Sequence, residues 1–146
     1  MNDEDPLFRK VGAVILLVSD MKQSIIFYRD ALKLDLKSES DEWTEFFNSG
    51  TVIALHPINK RKKDQKSANT VSPGTSNVLV GFMVNDLDLV VNKLRAKNVK
   101  FFKEPKEEPF GKHTIIQDPD GHLLSIAQIE SKSTEGFDLF GLIGAE

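Results

Sequence analysis

At 146 residues, with 40% hydrophobic and 28% charged side chains, the chain has the composition of a single globular domain large enough to bury a core. Its net charge of −3 gives no footprint for nucleic acid, whose phosphates need a concentrated positive face, and the lack of cysteine excludes disulfides, thiolate metal sites and cysteine nucleophiles while suiting a reducing compartment. Residues 1–6 are acidic rather than signal-like, and the longest apolar run, 13–18, is too short to cross a bilayer, so a cytoplasmic protein with no membrane partner is expected.

In chain order, residues 11–18, interrupted only by Gly12, are apolar and rich in β-branched types, which predicts a strand covered on both faces. Ser19 or Asp20 caps the helix that follows, where Ile25, Tyr28 and Leu32 fall at helical spacing and Ile26 and Phe27 widen the stripe. Residues 34–38 and 43–48 predict an antiparallel pair, and Asn48, Ser49 and Gly50 turn the chain into a further strand over 51–58. The stretch 59–76 is charged and polar, with Lys60, Arg61, Lys62 and Lys63 in one run, and predicts a long exposed connection. The order then repeats: a strand over 78–84, a cap at Asn85 or Asp86, and a helix with Leu87, Val90, Val91 and Leu94 on one side. Asn98 stops that helix, 99–102 is a short strand, 103–111 a proline-containing loop, and 113–117 with 122–128 a hairpin across Asp118, Pro119, Asp120 and Gly121.

Aligning Asp20 with Asp86 pairs Val18 with Val84 and Val14 with Val80, so the chain carries one strand-helix-strand-strand-strand unit twice. The expected organisation is an extension over 1–8, then one domain over 9–130 built of repeats 9–58 and 77–130 joined by the basic loop 59–76, and an apolar tail over 131–146. Phe137, Leu139, Phe140, Leu142 and Ile143 make that tail apolar enough to predict packing on the domain, on a partner, or over a cleft.

Val18, Ser19 and Asp20 with Ser24 and Phe27 to Asp30, Gly50 before Ala54, Leu55 and His56, Val84 to Asp86, Phe110 and Gly111, and Asp118 to Gly121 form an ordered set. Together they resemble the vicinal oxygen chelate superfamily, which includes glyoxalase, bleomycin-resistance proteins, methylmalonyl-CoA epimerase and extradiol dioxygenases; the match spans residues 9–130. The resemblance implies an α+β fold in which two βαβββ units form a curved mixed sheet around a cleft, and a homodimer that completes or flanks that cleft. It implies no particular reaction.

In metal-using relatives, the first strand of each unit supplies histidine or glutamine to the metal and the last strand supplies glutamate or histidine. By register, the resemblance puts Ala13, Ala54, Leu79 and Ser125 at those positions. Catalytic zinc and non-haem iron need about three nitrogen or oxygen donors, and hydrocarbon offers none. No metal and no other cofactor is therefore expected.

The three histidines do not restore such a site. His56 lies two residues beyond Ala54 on the same strand face, where the plain reading is a strand-end imidazole bonded to a carbonyl or water. His113 opens a strand, and His122 follows the tight turn and reads as a surface residue. Glu45 shares strand parity with Trp43 and Phe47, which makes it a candidate general base, against the plainer reading of a salt-bridged or solvated glutamate.

The expected cleft lining is mostly apolar: Ala13, Ile15 and Leu17 from the first strand, Trp43, Glu45 and Phe47 from the third, and Val52, Ala54 and His56 from the fourth. The second unit adds Leu79, Gly81, Met83 and Ser125. Such a surface suits a small apolar or aromatic molecule. The expected function is a metal-free, small-molecule-binding protein rather than an enzyme. One alternative is a lyase, epimerase or dioxygenase-type enzyme using Glu45 and His56 as catalytic groups, and another is a dimerising interaction module whose cleft is filled by its own side chains.

Overall fold

The computed structural model describes residues 6–48, 50–58 and 78–129. The connection expected over 59–76, the tail over 131–146 and most of the extension over 1–8 lie outside the described residues. The first unit runs β1 (Val14–Val18), α1 (Met21–Ile26) continuing into a π-helical turn (Phe27–Ala31), β2 (Asp35–Ser38), β3 (Thr44–Asn48) and β4 (Thr51–Pro57). The second runs β5 (Val80–Val84), α2 (Leu87–Ala96), β6 (Lys100–Glu108), β7 (Gly111–Gln117) and β8 (Leu123–Ile129). The repeated order expected from the sequence is thus present, each unit contributing its own four-stranded mixed sheet, β1-β4-β3-β2 and β5-β8-β7-β6.

The two units are built by the same local rules. Asp20 Oδ1 accepts the backbone N–H of Gln23 and Asp86 Oδ1 that of Leu89, both at 3.1 Å, so each helix starts on an aspartate cap. After each helix the chain reverses through a left-handed residue, Lys33 at φ 63° and Asn98 at φ 62°. In each sheet the first strand lies parallel to the last, with Val14 opposite Ile53 in one and Val80 opposite Leu124 in the other. A helical crossover is what permits that parallel pairing.

Two sequence expectations need correction here. Residues 11–18 do not make one strand covered on both faces: pairing begins only at Val14, and within β1 Leu16 and Val18 are buried while Ile15 and Leu17 are 49% and 53% exposed. A run of consecutive apolar residues signals a doubly covered strand only when both faces meet protein, and here the helices cover one. Residues 103–111 are not a loop, because β6 extends to Glu108 and pairs with β7 on either side of two register shifts. Pro105 is tolerated because β6 is the outer strand of its sheet and the ladder shifts register between Lys103 and Lys106.

The core is one continuous cluster to which both units contribute. Leu16, Val18, Ile25, Tyr28, Phe46 and Leu55 from the first unit join Leu87, Val91, Leu94, Ile116 and Leu124 from the second. Polar bonds tie the units at its edge. Tyr28, fully buried, donates its hydroxyl to Asp118 Oδ2 at 2.7 Å, and the N–H of Ser19 lies 3.1 Å and 3.2 Å from the two carboxylate oxygens of Asp120. Asp118 Oδ1 meanwhile accepts the backbone N–H groups of Asp120 and His122 at 2.9 Å and 2.8 Å. The segment 118–121 is therefore a clamp between units as well as a turn.

His122 belongs to the same clamp and is not the surface residue expected: its side chain is 17% exposed, with Nδ1 2.7 Å from Asp118 Oδ2. Burial alone pushes its pKa down, but the hydrogen bond and charge of Asp118, helped by Asp120, outweigh that and leave it raised. Burial, followed by the Asp118 charge, holds the Tyr28 phenol well above its ordinary pKa, which keeps it a donor.

Candidate functional site

The side of each sheet away from the core carries the residues expected to line a cleft. In the first sheet, Ile15 of β1, Ala54 of β4 and Glu45 of β3 are successive cross-strand partners, flanked by the pairs Leu17 with His56 and Phe47 with Val52. In the second, Gly81 of β5, Ser125 of β8 and Ile115 of β7 form one row, and Met83, Ala127 and His113 the next. Paired residues share a face, so the strand parity read from the sequence holds across both sheets. Ala13 and Leu79 precede β1 and β5 and stand outside the ladders.

Ile15, Leu17, Phe47, Leu79 and Met83 are each about half exposed, between 48% and 53%. Among the described residues, then, these side chains do not fill a closed interior. Ala54 differs, being fully covered by its neighbours. Cavities among the described residues lie largely away from these faces. One of about 810 Å³ at the ends of β1 and β4 is lined by Ser19, Asp20, Asp41, Glu42 and His56 among others, and one of about 300 Å³ by Leu34, Phe82, Met83, Leu94 and Ile116 among others. Each takes in a single residue of the expected lining. The third, of about 680 Å³ between α1 and the 118–121 turn, takes in none.

The polar groups on these faces are already engaged. Trp43 donates its indole N–H to Glu45 Oε2 at 2.7 Å, and Lys37 Nζ lies 3.7 Å from Glu45 Oε1. His56 Nδ1 is 2.8 Å from the carbonyl of Pro57, so that nitrogen carries a hydrogen, and the Trp43 ring meets the imidazole edge-on at 6.0 Å. Both residues thus adopt the plain readings, a salt-bridged glutamate and a strand-end histidine.

On the second sheet the structure adds a group that the sequence left unassigned. His113 Nε2 lies 2.7 Å from Ser125 Oγ, one strand and one row away. Burial pushes the His113 pKa down; Glu108 opposes this and the positive charge of Lys103 reinforces it. Strand parity could have found the pair, since His113 shares a face with Ile115, but only once β7 and β8 were aligned to put Ile115 opposite Ser125.

Tested against a metal ion, the face does not fit. Ala13, Ala54 and Leu79 offer only hydrocarbon, Ser125 Oγ is bonded to His113, and among the described residues no three His, Cys, Asp or Glu side chains converge. No described helix is long and apolar enough to cross a membrane.

Comparison with known proteins agrees with this architecture. The family model described as "Glyoxalase/Bleomycin resistance protein/Dioxygenase superfamily" matches residues 10–126. The uncharacterized protein YraH of Bacillus subtilis is 28% identical over 123 residues, covering 80% of this chain and 96% of that protein. Among solved structures, a glyoxalase/bleomycin resistance protein/dioxygenase from Nocardioides has a TM-score of 0.68 at 19% identity, covering 88% of each chain. TnmS3, an antibiotic binding protein from Streptomyces, has a TM-score of 0.65 at 19% identity, covering 86% of this chain and all 100% of the other.

Proposed function

The chain belongs to the glyoxalase/bleomycin resistance protein/dioxygenase superfamily, and from that premise we propose that it is a cytoplasmic, metal-free protein that binds a small, flat or partly apolar molecule on the open faces of its sheets. The observation that carries this reading is the pairing of hydrocarbon at three of the family's four chelating positions with an apolar face left half exposed. Chelation chemistry needs donors that Ala13, Ala54 and Leu79 lack, whereas aliphatic and aromatic side chains contribute contact area to a ligand and Glu45, His56 and Ser125 set its orientation. Antibiotic binding by TnmS3, which shares the fold, is compatible with such a role.

A second copy of the chain completes the site in this reading. β1 and β5 are outer strands of their sheets and read VILLV and VGFMV, with no charge, while the opposite outer strands β2 and β6 carry Asp35, Lys37, Lys100, Lys103 and Glu104. Charged outer strands resist edge-to-edge pairing, and apolar ones invite it. Native mass spectrometry with metal analysis of freshly purified protein tests both parts. The expected result is a dimer with substoichiometric metal. Near-stoichiometric zinc, iron, nickel or manganese would overturn the metal-free reading, and a monomer at micromolar concentration would overturn the completed site.

A further inference from the structure

The two open faces differ in charge. On the first sheet the only acid in the rows described above, Glu45, is neutralised by Lys37 and capped by Trp43. On the second, Lys103 of β6 is the cross-strand partner of Ile115, and Lys106 is the partner of His113. Partners across a ladder project to the same side, so both lysines share the face of His113 and Ser125 despite the register shift between them. Neither lysine forms an ion pair among the described residues, whereas Lys112 on the opposite face is held by Asp88 and Arg95 by Glu104. Glu108, at the end of β6, is the acid that acts on His113, and it stands against two ammonium groups.

The His113–Ser125 contact fits this setting. Lowered by burial, with Lys103 adding to the effect, the imidazole is neutral near pH 7, so one hydrogen is shared across the 2.7 Å contact. An Nε2–H tautomer would let the ring donate to Ser125 Oγ and free the hydroxyl hydrogen for the open face. A hydroxyl donor on a face that carries two lysines and one acid, Glu108, is an arrangement suited to an oxyanion: directional hydrogen bonding from the serine, net positive charge from the lysines. The half-exposed side chain of Met83, in the same row as His113, supplies apolar contact next to it.

We propose that Ser125, His113, Lys103 and Lys106 form an anion subsite, and that the ligand of this protein is a small amphiphile with an apolar or aromatic body and a single acidic head, a carboxylate or sulfonate. This rests on the reading of the open faces as a small-molecule site and names the ligand's chemical class. His113 is a positioning residue here: it orients the serine hydroxyl and does not itself carry the charge.

Fluorescence titration of the full chain with two probes of nearly the same body tests it. One is 1-anilinonaphthalene-8-sulfonate, and the other is the uncharged N-phenyl-1-naphthylamine. The expected result is that the sulfonate binds, that a Lys103→Ala, Lys106→Ala double variant weakens it about tenfold, and that Ser125→Ala weakens it by a smaller factor. Salt weakens the sulfonate in the wild type and much less in the double variant, while the uncharged probe binds all forms alike. Both lysines lie on an exposed outer strand, so their replacement leaves the core intact, which circular dichroism verifies. Equal sulfonate affinity in wild type and variants overturns the anion subsite while leaving the apolar site standing. Failure of both probes to bind overturns the underlying reading and the subsite with it.

Discussion

On β1, Leu16 and Val18 are packed into the shared core, while Ile15 and Leu17, each one residue away, stand about half exposed. The same alternation runs through β3, where Phe46 is fully buried and Phe47 is 48% exposed. Chemically these neighbours are alike, so hydrophobicity alone does not decide their duties. The deciding factor is which side of the sheet the helices cover. One side buries its apolar area in the core, and the other leaves it half exposed.

The largest test of that contrast is a pair of truncations on one strand. Phe46→Ala empties a fully buried position in contact range of Tyr28, whose ring centroid is 6.0 Å away, and is expected to cost about 3–5 kcal/mol. Phe47→Ala removes as many atoms from the half-exposed side and is expected to cost less than about 1 kcal/mol. Urea denaturation of both variants measures the difference. Equal losses would mean that the open side also serves as core.

Next in size is the clamp between units. Asp118 accepts from the Tyr28 hydroxyl and from two backbone N–H groups and also faces His122. Asp118→Ala leaves those donors buried without an acceptor, at a cost on the order of 3 kcal/mol. Asp20→Ala, by comparison, removes an exposed helix cap and is expected to cost about 1 kcal/mol. A denaturation midpoint for Asp118→Ala no lower than that of Asp20→Ala would show that 118–121 acts only as a turn.

The sequence made the duplicated architecture readable because each unit repeats a strand, an aspartate cap and a helix in one order, and those are local signals. Strand parity carried over too, since it depends only on alternation once Asp20 and Asp86 are aligned. Coverage was not readable: residues 11–18 are apolar apart from Gly12, and nothing local says that helices protect one face. Pro105 misdirected the reading of β6 because a proline argues against a central strand and is silent about an outer one. Asp118 reads as a turn residue, and His122 beside it as a surface residue, because the Tyr28 partner that draws Asp118 into the core lies 90 positions away along the chain. The pairing of His113 with Ser125 required the β7–β8 register, which a hairpin of uncertain ends does not fix.

The smallest expected effect is a pH dependence confined to the buried side. His122 faces Asp118 and Asp120, with the neutral Tyr28 phenol sharing the Asp118 carboxylate, and its folded pKa is raised above the unfolded value of about 6.5. Folding is therefore favoured by protonation of this group. Its contribution is fully present below the unfolded pKa and is lost as pH rises through the folded one. Stability measured by denaturation across that window should fall with rising pH in the wild type. In His122→Asn, which keeps a polar side chain but cannot titrate, that component of the slope should vanish. An unchanged slope would assign the pH dependence to other groups and leave His122 as a neutral hydrogen-bonding partner of the clamp.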